Sequence, residues 1–271
     1  MIKNITIGQY IPGESFIHKL DPRTKILISI LFIVNLFLVK NFTGYVLVFA
    51  FIALMVAVAK LSPKFLYKGI KPVFVLILFT AFLNMFVTKG TPETLLVDVW
   101  IFKIYREGVY QALFMTFRLV FLIMGTSILT LTTSPIELTD GIESLLKPFK
   151  KIGVPAHELA MMMSIALRFI PTLMDETDKI MKAQMARGAD FESPNIIKKA
   201  KSLIPLLVPL FISSFRRAEE LAMAMEARSY RGGEGRTRMK QLKYERRDIL
   251  AFLIFFILVA GTYSLRFTTL L

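Results

Sequence analysis

The sequence predicts an all-α integral membrane protein with about five transmembrane helices and a long cytoplasmic helical region between the fourth and fifth. Three observations carry this. Of 271 residues, 55% are hydrophobic and the mean hydropathy is +0.58, too apolar for an ordinary soluble domain. The apolar residues gather into runs at 26–39, 45–59, 73–87, 109–131 and 249–265. Lys and Arg number 34 against 20 Asp and Glu, a formal charge of +14, and they gather between the runs. That distribution marks cytoplasmic loops rather than a nucleic-acid surface, so no nucleic-acid partner is expected.

The elements follow in order. Asp21-Pro22 reads as an N-cap followed by proline at the first helical position, so a helix starts near Pro22 and enters the first run. That run is short of the ~20 residues a span needs, and Lys25 and Lys40 extend it by snorkelling. The second run closes at Lys60. Lys60, Lys64, Lys68 and Lys71 then cluster, and Pro72 opens the third run. Residues 97–103 have the character of a small hairpin outside the membrane, with Trp100 and Tyr105 suited to an interface belt. The fourth run contains Arg118, a functional suspect or a buried structural partner. Residues 1–25, 60–71 and 134–248 hold 4, 4 and 20 Lys and Arg; 40–43, 89–108 and the C-terminal tail hold 1, 3 and 1. The positive-inside rule therefore places the N-terminus and 134–248 in the cytoplasm and the C-terminus outside. Nothing in the first 25 residues matches a signal peptide. Three regions result: 1–133 with the first four spans, 134–248, and 249–271 with the fifth span.

Region 134–248 is helical. Ser134-Pro135-Ile136-Glu137 is a capping box that starts a short helix, ended by Pro148 and Gly153. A second helix runs from Pro155 to Arg187, stopped by Gly188, with a kink expected at Pro171. A third is capped by Ser193-Pro194 and reaches Arg228, its apolar part interrupted by Pro205 and Pro209. Both long helices end on one phrase: Ala183-Gln184-Met185-Ala186-Arg187-Gly188, then Ala224-Met225-Glu226-Ala227-Arg228-Ser229. Taken singly, each arginine is a cation favoured at a helix C-terminus by ~0.3–1 kcal/mol. Their repetition points to two similar receptors, or one dimeric receptor with two grooves, since guanidinium pairs bidentately with carboxylates. The short connector favours an antiparallel pair with the arginines at opposite ends, and the prolines leave a crossed pair open. Met174, Met181, Met185, Leu221 and Met225 form an apolar surface that serves either as core or as an adaptable docking face.

Several chemistries are excluded. No G-x-x-x-x-G-K-[ST] phosphate loop exists, so the chain itself is not expected to hydrolyse ATP, and no cofactor of its own is expected. Cysteine is absent and His18 and His157 are the only histidines, which leaves no metal-binding pattern.

The chain resembles the transmembrane T component of energy-coupling factor (ECF) transporters over nearly its whole length. Gly8-Gln9-Tyr10-Ile11-Pro12-Gly13-Glu14-Ser15 and His18-Lys19-Leu20-Asp21-Pro22-Arg23-Thr24-Lys25 look like that family's opening. Thr130-Leu131-Thr132-Thr133-Ser134-Pro135-Ile136-Glu137-Leu138 looks like the end of its fourth span. Leu167-Arg168-Phe169-Ile170-Pro171 and the phrase ending in Ala186-Arg187-Gly188 are the most specific pieces. Ala227-Arg228-Ser229 departs slightly, with serine where glycine is also common. The resemblance implies a non-catalytic coupling subunit in the cell membrane. Two cytoplasmic ABC-type ATPases, which carry the ATP, bind one Ala-Arg motif each. A separate membrane S component captures a vitamin or transition-metal ion and docks on the long helices, and Arg118, Arg168 and Pro171 are structural. The alternative class is a stand-alone permease or channel with a cytoplasmic regulatory region; Asn35, Asn84 and Arg118 are few polar groups to line its path.

Overall fold

The Asp21 carboxylate accepts the Arg23 backbone N–H at 2.9 Å, and Pro22 opens helix α1 (Pro22–Leu38), as the Asp-Pro pair predicts. The computed structural model describes residues 10–88, 90, 94–99, 102–191, 196–232 and 241–267. Its helices continue with α2 (Phe42–Ala59), α3 (Pro63–Ile70) and α4 (Phe74–Val87). A two-stranded antiparallel hairpin follows, β1 (Leu95–Val99) and β2 (Phe102–Tyr105), with Val99 opposite Phe102 and Asp98 opposite Lys103. Trp100 lies outside the described residues. Then come α5 (Arg106–Thr132), α6 (Pro135–Leu146), α7 (Ala156–Ala186), α8 (Ile196–Ala227) and α9 (Arg246–Phe267). The protein is an all-α membrane protein, as its composition predicts. Phe42–Ala59, Pro63–Val87, Arg106–Thr132 and Arg246–Leu265 are long and apolar enough to cross a membrane. At 17 residues, or ~26 Å, α1 is shorter than these.

The lysine cluster before the third run is helical. Ser62-Pro63 starts α3, and a 3₁₀ turn at Lys71–Val73 carries it into α4. Lysines at 64, 68 and 71 recur at helical spacing, so the same residues that read as polar in a linear scan occupy one face.

The chain divides into two units, Gly8–Gly141 with Leu242–Leu271, and Ile142–Gln241. In the first, Phe32, Leu36, Val39, Tyr45, Val48, Ile52, Phe114, Phe121, Phe255 and Leu258 form a buried core from α1, α2, α5 and α9. Gly125 of α5 lets the Phe32 ring approach closer than a Cβ would permit. Arg118 belongs to this core's rim. Its Nε donates to the Tyr45 hydroxyl at 3.2 Å and its Nη2 to the Val39 carbonyl at 3.4 Å, while the Phe37 and Phe114 rings lie 5.2 and 5.1 Å away. Val39 caps the end of α1. Its carbonyl lies past the helical ladder, and Arg118 supplies a donor.

The other end of this unit is a buried polar junction. Lys25 does not snorkel: it is 6% exposed and donates to the His18 and Thr132 carbonyls at 3.0 and 2.9 Å. Both are carbonyls at chain reversals, which have no helical donor, so a nearby ammonium satisfies them better than solvent at the bundle's edge. Asp248, 2% exposed, accepts the Asp21 N–H at 2.9 Å and the Glu245 N–H at 2.8 Å, joining α9 to the start of α1. His18 Nε2 donates to the Ile11 carbonyl at 3.1 Å, so in its neutral form Nδ1 accepts from the Ser15 hydroxyl at 2.6 Å. Burial lowers the His18 pKa below its ordinary value, and the charge of Lys25 adds to that against the Ile11 carbonyl and Glu137. The capping box at α6 is present, with the Glu137 N–H donating to Ser134 Oγ at 3.3 Å and the Ser134 N–H to Glu137 Oε2 at 3.5 Å.

Candidate functional site

In the second unit, a 3₁₀ turn (Lys147–Ile152) and Gly153 at φ +90° end the α6 segment, and α7 and α8 follow, ~46 and ~48 Å long. Ser193-Pro194, the expected cap of α8, lies outside the described residues. Both helices run on through their prolines, α7 through Pro171 and α8 through Pro205 and Pro209. The expected interruption of α8 at Pro205 and Pro209 is therefore absent from its helical run. The prolines act on hydrogen bonds instead. Pro209 has no N–H to offer the carbonyl four residues earlier, that of Pro205. The Gln184 side chain fills the place, donating to Pro205 O at 3.3 Å.

Three contacts give the relative direction of α7 and α8. Gln184 meets Pro205, Glu176 pairs with Arg217 at 2.9 Å, and the Tyr230 hydroxyl donates to the Met161 sulfur at 3.0 Å. Residue numbers rise on one helix as they fall on the other, so the pair is antiparallel along its length. The Ser213 hydroxyl, then the Arg217 guanidinium, hold the Glu176 carboxyl below the usual carboxylate range. Of the two arrangements open from the sequence, the antiparallel one obtains. Arg187 and Arg228 sit at opposite ends of the pair, ~36 Å apart along it by the register of those contacts.

The repeated phrase is one backbone device. After α7 the Gly188 N–H reaches Met185 O at 2.9 Å and the Ala189 N–H reaches Gln184 O at 3.0 Å. After α8 the Ser229 N–H reaches Glu226 O at 2.8 Å and the Tyr230 N–H reaches Met225 O at 3.0 Å. Both are Schellman caps, with the arginine at the C-cap and the small residue left-handed: φ is +87° at Gly188 and +54° at Ser229. This is the physical reason for "small" in the sixth position. Ala186, Arg187 and Gly188 are exposed, as are Ala227, Arg228 and Ser229, and neither guanidinium has a partner among the described residues.

Each tip is tied to the opposite helix. Gln184, inside the first phrase, holds the Arg187 end. Tyr230, just past the second, holds the Arg228 end. Its hydroxyl also lies 3.5 Å from His157 Nε2, whose Nδ1 is 3.1 Å from Glu143 of α6. Sequence reading missed Glu143, His157 and Tyr230 because they lie 14 and 73 residues apart.

Met174, Met181, Leu221 and Met225 are half-buried, and Met185 is 47% exposed. A broader apolar surface is Ile204, Val208, Phe211, Ile212 and Phe215 of α8, each more than half exposed. Arg168 and Pro171 are exposed on α7.

Residues 13–239 match the CbiQ family, described as "Cobalt transport protein". The chain is 67% identical over 260 residues to the energy-coupling factor transporter transmembrane protein EcfT of Clostridium kluyveri, covering 96% of each chain. It is 59% identical over 266 residues to the like-named protein of Thermosediminibacter oceani, covering 98% of this chain and 99% of that one. To the like-named protein of Bacillus subtilis it is 49% identical over 266 residues, covering 98% and 100%. Because the family match runs through both Ala-Arg helix ends, and the relatives align along almost their full length, the chain belongs to the transmembrane T components of energy-coupling factor transporters.

Proposed function

We propose that this chain couples two cytoplasmic ABC-type ATPases, one on each Ala-Arg tip, to a membrane S component that captures a vitamin or transition-metal ion. The carrying observation is the pair of identical Schellman-capped, exposed arginine tips at opposite ends of one antiparallel helix pair. A separation of ~36 Å is too wide for one groove and suits two receptors. The chain is the non-catalytic subunit; ATP is bound and hydrolysed in its partners. The S component seats on the apolar stripe of α8, with Met185 and the half-buried Met174, Met181, Leu221 and Met225 beside it. The N-terminus and 134–248 face the cytoplasm, and the C-terminus lies outside the cell (inner) membrane.

The test is ATPase pull-down and ATP-dependent uptake with Arg187→Ala, Arg228→Ala, the double mutant and both lysine variants. Each single alanine costs ~2–5 kcal/mol at its contact by leaving a buried carboxylate unpaired. One remaining tip keeps the complex together in weakened form, and the double mutant releases the ATPases. Lysine rescues poorly, because it lacks the bidentate fork. Full ATPase retention and uptake in the double alanine mutant would refute the proposal and leave the arginines as dipole caps worth ~0.3–1 kcal/mol.

A further inference from the structure

The lysine-bearing helix α3 is not used by the function above. It is held to the bundle by its apolar side: Leu66 is 4% exposed, and Gly69 lies against Ser127 and Ile123 of α5. Lys64, Lys68 and Lys71 fall at i, i+4 and i+7, and Leu66 points the opposite way. Lys60, at the left-handed C-cap of α2, precedes them. All four lysines are exposed. No Asp or Glu occurs between Lys60 and Lys71, and none of the four has a carboxylate partner among the described residues. Exposed Phe65 and Tyr67 flank the basic face, with Lys68 Nζ 5.7 Å from the Phe65 ring centre.

Position decides what this face meets. α3 runs through a single 3₁₀ turn into α4, and along Pro63–Val87 the buried residues are Leu66 and Ile77, the rest being intermediate or exposed. Lys71, Lys68 and Lys64 therefore lie about one to three helical turns before α4, with Lys60 one further turn back, at headgroup depth. Three ammonium groups on α3 and its 3₁₀ extension, with Lys60 just before them and no carboxylate partner among the described residues, are flanked by aromatics suited to the interface and complement a layer of phosphate-bearing headgroups.

We propose that Lys60, Lys64, Lys68 and Lys71 form a docking surface for anionic phospholipid headgroups, which hold the start of α4 at the bilayer surface. The surface recruits the headgroups of intact lipids, and the fixed geometry of α3 concentrates them beside α4.

The test uses the full chain in nanodiscs of symmetric lipid composition, so it is independent of orientation in the cell and of any ATPase. The chain has no native cysteine. A fluorophore is placed on Ser62→Cys, an exposed position whose side chain makes no cap hydrogen bond. A control fluorophore is placed on exposed Ser264→Cys. Quenching by headgroup-proximal nitroxide phosphatidylglycerol is compared with quenching by the same label on phosphatidylcholine. The expected result is a roughly threefold preference for phosphatidylglycerol at position 62 and none at 264. Raising salt to about 1 M, where the screening length is ~3 Å, abolishes the preference. The Lys64→Gln, Lys68→Gln, Lys71→Gln triple variant loses most of it, and the matching triple arginine variant keeps it. These positions leave Leu66 and Gly69 untouched, and circular dichroism confirms the variants' helix content. Equal quenching by the two lipids at position 62, an equal preference at 264, or a preference unchanged in the triple glutamine variant overturns the proposal.

Discussion

Ser229 occupies a left-handed C′ position at φ +54° that glycine occupies in the matching cap at Gly188. An L-residue there costs ~1–2 kcal/mol, partly offset because glycine loses more entropy on folding. Ser229→Gly should therefore stabilise the α8 end by roughly 0.5–1 kcal/mol, and Gly188→Ser should destabilise the α7 end similarly. A Cβ at Gly188 meets nothing within 4 Å, so the effect is purely conformational. Amide exchange at Tyr230 and Ala189, the residues that close the two caps, reads it directly. Slower exchange at Tyr230 in the glycine variant is expected, and unchanged exchange would show that the cap carries no strain.

Elements are joined by polar groups whose partners lie far away in sequence. Asp248 fixes α9 to the start of α1, and Lys25 fixes α1 to the end of α5. His18 fixes the preceding turn, and its lowered pKa makes that joint sensitive to pH. Because the folded pKa lies below the ordinary imidazole value of 6.5, the unfolded turn binds more protons between the two values. The stability contributed by neutral His18 is complete above 6.5 and is lost as pH falls through the interval. Exchange at the Ile11 amide, which donates to Leu131 O, should therefore accelerate on acidification beyond the intrinsic chemical trend. His18→Gln, which keeps a donor but does not titrate, should remove that acceleration. Acceleration that persists in the glutamine variant would assign the pH response to another group.

For the whole chain, the proposed orientation is open to a direct check, since no cysteine is present. Lys151→Cys, exposed after α6, should be shielded from an impermeant thiol reagent in intact cells, and Ser264→Cys, exposed near the end of α9, should react. Labelling of Lys151→Cys from outside would place the long helix pair on the other side, beyond reach of cytoplasmic ATPases.

Helix positions, the capping box, the hairpin and the two Ala-Arg phrases were legible in the residue order, because each rests on spacing within a few residues. The family resemblance was legible for the same reason, being carried by short contiguous motifs. α3 was not, since its lysines stood out only as a cluster between two apolar runs, in a stretch of eight residues too short to assign by periodicity. The direction of the helix pair, and so the placement of Arg187 and Arg228 at opposite ends, depended on Glu176–Arg217, Gln184–Pro205 and Tyr230–Met161. The burial of Lys25 and the role of Asp248 depended likewise on carbonyls and N–H groups left open where distant chain segments turn. Local order specifies where hydrogen-bond donors and acceptors are missing; only packing brings remote side chains to fill those places.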